Sequence, residues 1–222
     1  ATLNALQYFD DVDDPGIGET VKTTQQYLDK QNKLSMYIRT LLNAPDILAM
    51  QEVEKLGVLQ ALASKINSDD PSLTYTPYLV EGNDVGGIDV GFMVRSGVTV
   101  NAVTQLGATE TLSVDGSLLH DRPPLLLDAT LANGCKISVL VVHMRSLNDI
   151  DSPTNGARVR QKRHEQAASV ANMVQGFQTA NPNINLAVTG DFNAFQFTDG
   201  YVHVMGQIMG KPASASEALI PG

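Results

Sequence analysis

The chain has 222 residues, of which 43% are apolar and 5% are aromatic, so it can fill one sizeable and mainly aliphatic core. Its 15 basic and 24 acidic residues give a net charge of −9, which argues against a broad electrostatic surface for nucleic acid. A polyanionic substrate would have to be held by a local basic patch or through a metal ion. No apolar run approaches the roughly 20 residues of a membrane span. The single cysteine, Cys135, excludes an internal disulfide.

Hydrophobic periodicity predicts alternating strands and helices in the first third of the chain, then consecutive strands, then one long helix and a last strand. This order favours a layered α/β sandwich over a doubly wound sheet. The segment 206–222 is rich in small residues and predicts a loop. The predicted strands are 2–9, 46–50, 75–80, 88–94, 98–103, 125–131, 136–142 and 184–189, and the predicted helices are 20–42, 56–66 and 157–177.

Polar side chains accompany four of the predicted strands. Glu52 and His143 follow apolar strands, Asp191 and Asn193 follow the last one, and Asn4 lies in the first. A carboxylate and an amide side by side at a strand end supply an acceptor for water and a donor for a phosphate oxygen, as metal-dependent phosphoester hydrolysis requires. Taken singly, each has an ordinary alternative, such as a solvated strand-end charge or a structural histidine.

Three further features could belong to such a site. Asp89 is a charge inside an apolar strand, where it could partner an imidazolium or lie at a sheet edge. Arg122 precedes two prolines that would hold it for a bidentate phosphate contact, although an exposed loop arginine is the plainer interpretation. The basic residues between 158 and 164 cover more than one side of their helix, so much of this cluster is solvated surface, and Arg163 could face inward.

With these motifs assembled, the chain resembles the endonuclease/exonuclease/phosphatase superfamily, which includes pancreatic deoxyribonuclease, apurinic endonucleases, bacterial sphingomyelinases and inositol-polyphosphate phosphatases. The motifs follow the family's order across nearly the whole chain. Arg163-His164-Glu165-Gln166-Ala167 also resembles the Arg-x-x-Gln-Ala of its bacterial extracellular nuclease branch. The other matching segments are Thr2-Leu3-Asn4-Ala5-Leu6, Leu48-Ala49-Met50-Gln51-Glu52-Val53, Arg122-Pro123-Pro124-Leu125, Val141-Val142-His143-Met144-Arg145-Ser146 and Thr189-Gly190-Asp191-Phe192-Asn193.

The resemblance implies one α/β domain over residues 1–222, a four-layer sandwich of two mixed β-sheets packed face to face with helices outside. It implies a Mg²⁺ site, with Mn²⁺ or Ca²⁺ as alternatives, and a nucleic-acid substrate. In the implied metal site, Glu52 is the principal ligand and Asn4 helps to arrange the site. Asp191 would orient the water, Asn193 would donate to the phosphate, and His143 would contact the phosphate or the leaving group. Asp89 would fix the charge of His143, and Arg122 and Arg163 would lie beside the substrate phosphate.

One departure from the family is the absence of its closing Ser-Asp-His, since all four histidines precede the position where it should fall. We therefore expect an incomplete domain that lacks its C-terminal strands and is nearly inactive by itself. The alternative is a chain that has lost its general-base pair.

The favoured function is a bacterial secreted nuclease, extracellular or periplasmic, although no signal peptide is visible. The arginine motif and the basic helix favour this interpretation. A phosphatase or phospholipase acting on inositol phosphates or sphingomyelin shares the same chemical core. A non-catalytic binding module on the same fold is the third possibility.

Overall fold

The computed structural model describes residues 1–211, which divide into two compact units. The first comprises residues 1–106, 121–142 and 185–190, and it contains nearly all of the two β-sheets. The second comprises residues 107–120, 143–184 and 191–211. Within residues 1–211, no helix is long and apolar enough to cross a membrane.

The first sheet has four strands in the order β1-β2-β4-β3. The strand β2 runs parallel to β1 and antiparallel to β4, which is also antiparallel to β3, so this sheet is mixed. The bounds are β1 Thr2–Tyr8, β2 Ile47–Val53, β3 Tyr75–Leu79 and β4 Asp89–Arg95. Two helices accompany this sheet: α1 spans Thr24–Met36 and continues as a π-helical turn over Tyr37–Leu41, and α2 spans Leu56–Asp69.

The second sheet has the order β5-β6-β7-β8, with β6 antiparallel to β5 and β7. The Ser138 N–H donates to the Asn185 carbonyl at 2.9 Å and the Met144 N–H donates to the Asp191 carbonyl at 2.9 Å, so β8 runs parallel to β7. Its strands are β5 Thr99–Gln105, β6 Leu125–Thr130, β7 Lys136–His143 and β8 Leu186–Asp191.

Side chains alternate between two cores because successive residues of a strand point to opposite faces. In β4, Phe92 packs with Leu127 of β6 between the sheets, while Met93 packs with Leu59 and Leu62 of α2 on the other face. All five side chains are buried. The first unit therefore stacks helices, the first sheet and the second sheet as successive layers.

The second unit contains α3 (Gly156–Ala180), which packs against the short helix α4 (Val204–Ile208). The predicted class, two mixed sheets with helices, is confirmed, and most predicted bounds are correct to within a few residues. The prediction missed α4, because five residues are too few to show helical periodicity. The rest of the predicted C-terminal loop, 212–222, lies outside the described residues.

Candidate active site

Glu52 lies where two neighbouring strands are both irregular. The register of β1 with β2 shifts between Asn4 and Tyr8, and β2 has a second shift just at Glu52. Leu6, Gln7 and Glu52 all have positive φ, at 54°, 59° and 56°. Such left-handed conformations cost about 1–3 kcal/mol each in residues other than glycine, and they cluster at functional sites. Bulges of this kind re-aim side chains at the end of a sheet.

The irregular backbone of β1 supplies donors to the Glu52 carboxylate. Asn4 Nδ2 donates to Glu52 Oε1 at 2.9 Å, and the Gln7 N–H donates to Oε2 at 3.0 Å. The Leu6 N–H donates to Asn4 Oδ1 at 2.8 Å, which fixes the orientation of the amide. Asn4 therefore presents its nitrogen to Glu52, and its role is to orient that carboxylate. The assignment of Asn4 to the metal site stays a prediction, and in this structure its nitrogen donates to Glu52 while its oxygen accepts from the Leu6 N–H.

A second group of predicted residues lies at the ends of β7 and β8. Met144 lies next to buried His143 and donates its N–H to the Asp191 carbonyl. The Met144 carbonyl accepts a hydrogen bond from Asn193 Nδ2 at 3.0 Å. The Asn193 N–H donates to Asp191 Oδ1 at 2.8 Å in a tight turn, with Asn193 at φ 47°. These contacts fix the backbone around His143, Asp191 and Asn193 relative to one another.

The structure explains why a glycine, Gly190, precedes Asp191. Its φ is 130°, and an added Cβ would collide with the Val142 carbonyl oxygen. Only glycine therefore lets β8 lie this close to β7 just before the acidic residue.

Helix α3 holds the residue that follows Met144. The Arg145 N–H donates to Gln166 Oε1 at 2.8 Å, and Arg163 Nη1 donates to the Arg145 carbonyl. Arg163 is 1% exposed and pairs with Asp199 at 2.8 Å. The inference that Arg163 contacts substrate phosphate is corrected: the guanidinium does face inward, but it is buried and committed to Asp199 and to the backbone. Asp199 was missed from sequence, where an Asp-Gly pair indicates only a turn.

The other basic residues of α3 also have partners inside the second unit. The prediction that this basic cluster favours a nuclease stays a prediction, because these side chains are engaged within the unit and would have to share their charge with a polyanion. The contacts are Arg158 with Asp115 and Ser117, Arg160 with the Ile150 carbonyl and the Tyr201 ring, and Lys162 with the Leu118 carbonyl.

Asp89 lies at the start of β4 and is 4% exposed. Burial raises the pKa of Asp89 to about 8, the hydrogen bond and charge of Glu81 raise it further, and the Gly82 N–H opposes them. Near neutral pH this carboxyl is mostly protonated. The role of Asp89 in fixing the charge of His143 stays a prediction, in which the Asp89 carboxyl would have to be ionised.

Arg122 pairs with Asp84, with Nη1 2.6 Å from Oδ2, and both side chains are largely buried. Its contact with substrate phosphate stays a prediction, in which the guanidinium would have to share this carboxylate.

A separate acidic cluster could also hold a metal ion. Carboxylate oxygens of Asp14, Glu19 and Glu54 lie within 4.8 Å of one another. Lys55 Nζ, however, lies 2.7 Å from Asp14 Oδ2 and 3.0 Å from both Glu54 Oε1 and Asp10 Oδ2. The lysine already neutralises part of this cluster, and we assign no metal to it.

Comparison with known proteins identifies the family. A model of the Endonuclease/Exonuclease/phosphatase family matches residues 1–216. The chain belongs to this family. Its members are hydrolases that act on phosphoester bonds. A search of curated proteins gives no significant match.

Solved structures support the same fold for this family member. TDP2 from Caenorhabditis elegans is 18% identical with a TM-score of 0.54, covering 78% of this chain and 44% of that one. The human nocturnin catalytic domain, solved with bound sulfate, is 16% identical with a TM-score of 0.56 and coverages of 84% and 63%. The mannosyl-6-phosphatase of Bacteroides thetaiotaomicron is 13% identical with a TM-score of 0.53 and coverages of 88% and 68%. The chain thus spans about half the length of the TDP2 structure.

The raised pKa of Asp89 predicts a pH-dependent stability. The unfolded carboxyl releases its proton near pH 4 and the folded one near pH 8, so the free energy of unfolding should fall as pH rises between these values. Asp89→Asn keeps a hydrogen-bond donor for Glu81 and cannot ionise, so its free energy of unfolding should fall less over this range. Urea unfolding of both proteins from pH 5 to pH 8 measures the difference. Identical slopes would show that Asp89 ionises normally.

Because the Arg163–Asp199 pair is buried, we expect substitution of Arg163 to lower the free energy of unfolding more than substitution of Arg158, another ion-paired arginine of α3. Arg163→Leu leaves Asp199 buried without its partner and should lower the free energy of unfolding by about 3–5 kcal/mol. Arg158→Leu is the matched control, because its pair with Asp115 is exposed and should be worth about 1 kcal/mol or less. Chemical denaturation at pH 7 checks both values, and equal losses would contradict the structural role of Arg163.

Proposed function

We propose that this protein is a metal-dependent phosphodiesterase that hydrolyses nucleic acid by in-line attack of water. The proposal rests on membership of a phosphoester-hydrolase family together with the strained residues at the predicted site. Glu52, the proposed metal ligand, and Leu6 and Gln7 beside it have left-handed backbones that only a well-supported structure can maintain. This coincidence of strain with the family motifs is the observation that carries the proposal.

Glu52 fits the requirements of a hard divalent cation such as Mg²⁺. Its carboxylate is half-buried at a strand end and each oxygen is aimed by a donor from β1. Mg²⁺ prefers carboxylate oxygens and keeps several of its waters, so one oriented carboxylate suits it. A metal bound here would supply charge neutralisation for the phosphoryl oxygens.

In this proposal the other residues act directly on the phosphate and on the water. Asp191 accepts a hydrogen bond from the water and aligns it with the scissile bond. His143 and Asn193 donate to phosphoryl oxygens, where negative charge increases in the transition state. Arg163 and Gln166 act indirectly, because they hold the backbone that follows His143.

The metal assignment predicts a loss of affinity on a conservative change. Wild type should bind Mg²⁺ or Mn²⁺ weakly, since a single strong carboxylate ligand cannot hold a small divalent ion tightly. Glu52→Gln removes the charge with little change in shape and should weaken binding further. Calorimetric titration of the two proteins is the measurement. Equal affinities would move the metal elsewhere, and Glu19→Gln serves as the control for the second acidic cluster.

The catalytic assignment predicts large and specific losses of rate. Asp191→Ala and His143→Ala should each lower hydrolysis by two orders of magnitude or more, about 3 kcal/mol of transition-state stabilisation. Asp29→Ala, on the exposed face of α1, is the control and should not change the rate. No Ser-Asp-His occurs in the 222 residues, and general-base assistance is commonly worth about 10²–10⁴, so turnover by these residues should be slow.

The assay needs substrates that separate the competing functions. We would compare bis(p-nitrophenyl) phosphate, plasmid DNA, an inositol phosphate and sphingomyelin, each with Mg²⁺ and with chelator. The activated diester reveals slow chemistry because its leaving group needs little acid assistance. Turnover of the inositol phosphate or the lipid alone would favour the phosphatase or phospholipase interpretation. Metal-dependent binding of DNA with no turnover of any substrate would favour a binding module.

A further inference from the structure

We infer that a cleft beside Glu52 binds a second phosphate of the substrate, one nucleotide away from the scissile bond. This inference rests on the proposed function, because it assumes that the scissile phosphate lies at Glu52. It assigns the substrate class as a nucleic-acid strand and not a compound with one phosphate.

The cleft lies in the first unit and encloses about 250 Å³. It lies beside Glu52, because Gln7 both lines it and donates its N–H to Glu52 Oε2. Sites that enclose a whole small ligand measure roughly 300–1,000 Å³, so this cleft suits one part of a larger substrate. Its lining residues are Leu6, Gln7, Phe9, Lys22, Gln26 and Lys30.

Two half-buried lysines make the cleft electropositive. Lys22 Nζ lies 5.5 Å from the centre of the Phe9 ring, and Lys30 Nζ lies 3.4 Å from the Leu6 carbonyl oxygen. Burial lowers the pKa of Lys30, the charges of Lys33 and Lys22 lower it further, and Glu52 opposes them. Both lysines also line the one cleft at the side of Glu52. An anion between Lys22 and Lys30 would relieve that repulsion.

The net charge of the chain makes Lys22 and Lys30 important for binding a polyanion. At a net charge of −9, a polyanion needs a local basic patch, and the basic residues of α3 are engaged by partners in their own unit. The cleft supplies such a patch at the side of the proposed metal ligand. Leu6, 70% exposed, adds apolar surface against which a sugar could pack. A substrate with a single phosphate would leave both lysines without an anion.

The test compares two double variants of equal net charge in the full chain. Lys22→Ala/Lys30→Ala removes the cleft lysines, and Lys136→Ala/Lys211→Ala removes two exposed lysines that do not line the cleft. The first measurement is anisotropy of a fluorescent single-stranded oligonucleotide with chelator present, so that no turnover is needed. The cleft variant should bind at least tenfold more weakly. Its slope of log affinity against log salt should be smaller by about 0.7, since each phosphate contact contributes about 0.7 for single strands and the cleft holds one phosphate.

The second measurement separates the cleft from the metal site. We compare kcat/KM for the oligonucleotide with kcat/KM for bis(p-nitrophenyl) phosphate, which has no second phosphate. The cleft variant should lower the ratio of the two at least tenfold, and the control variant should leave it unchanged. Circular dichroism melting of all three proteins excludes misfolding as the cause.

Three outcomes would overturn the inference: equal weakening of binding in both double variants, an unchanged ratio in the cleft variant, or no binding of the oligonucleotide by wild type. Failure of the proposed function has a different signature. If wild type hydrolyses neither substrate but binds the oligonucleotide through Lys22 and Lys30, the phosphodiesterase assignment fails and the cleft stands as a nucleic-acid site.

Discussion

One requirement shapes the region around Glu52: a carboxylate at the end of a buried strand needs hydrogen-bond donors. A buried carboxylate without hydrogen bonds would destabilise the fold. Regularly paired strands cannot supply the donors, because their N–H groups are already hydrogen-bonded to each other. The structure meets the requirement by breaking the regular pairing of β1 with β2, so that the Gln7 N–H and the Asn4 amide turn toward Glu52. The same break exposes Leu6 and contributes to the wall of the lysine cleft. One local departure from sheet geometry therefore creates both the oriented carboxylate and its neighbouring subsite.

The second unit meets a similar requirement by a different means. Beyond β7 the Met144 N–H pairs with the last residue of β8, and the remaining backbone groups of Met144 and Arg145 are satisfied by the side chains of Asn193, Gln166 and Arg163. The buried charge of Arg163 is in turn balanced by Asp199. This explains why Arg-x-x-Gln occurs at the spacing of one helical turn: both side chains reach the same residue, Arg145, from one face of α3.

Buried charge also separates the residues that can act electrostatically from those that cannot. Asp89 shares its surroundings with Glu81 and is mostly protonated near neutral pH, and Arg122 is paired with Asp84. Lys22 and Lys30 are only half-buried and are close to other lysines as well as to Glu52. In an acidic protein, such a crowded positive pair is better suited to attract an anion than basic residues that are already matched one to one.

The sequence by itself determined the order of strands and helices, the α/β class and the strand-end positions of Glu52, His143 and Asp191. It could do so because hydrophobic periodicity and short motifs are local properties of the chain. Tertiary structure alone decided that Asn4 orients Glu52, that Asp89 is protonated beside Glu81, and that Arg163 pairs with Asp199. Asn4 and Glu52 are 48 residues apart and Arg163 and Asp199 are 36 apart, so strand register and helix packing bring them together. The charge and role of each such side chain follow from those distant partners, and no local pattern encodes them.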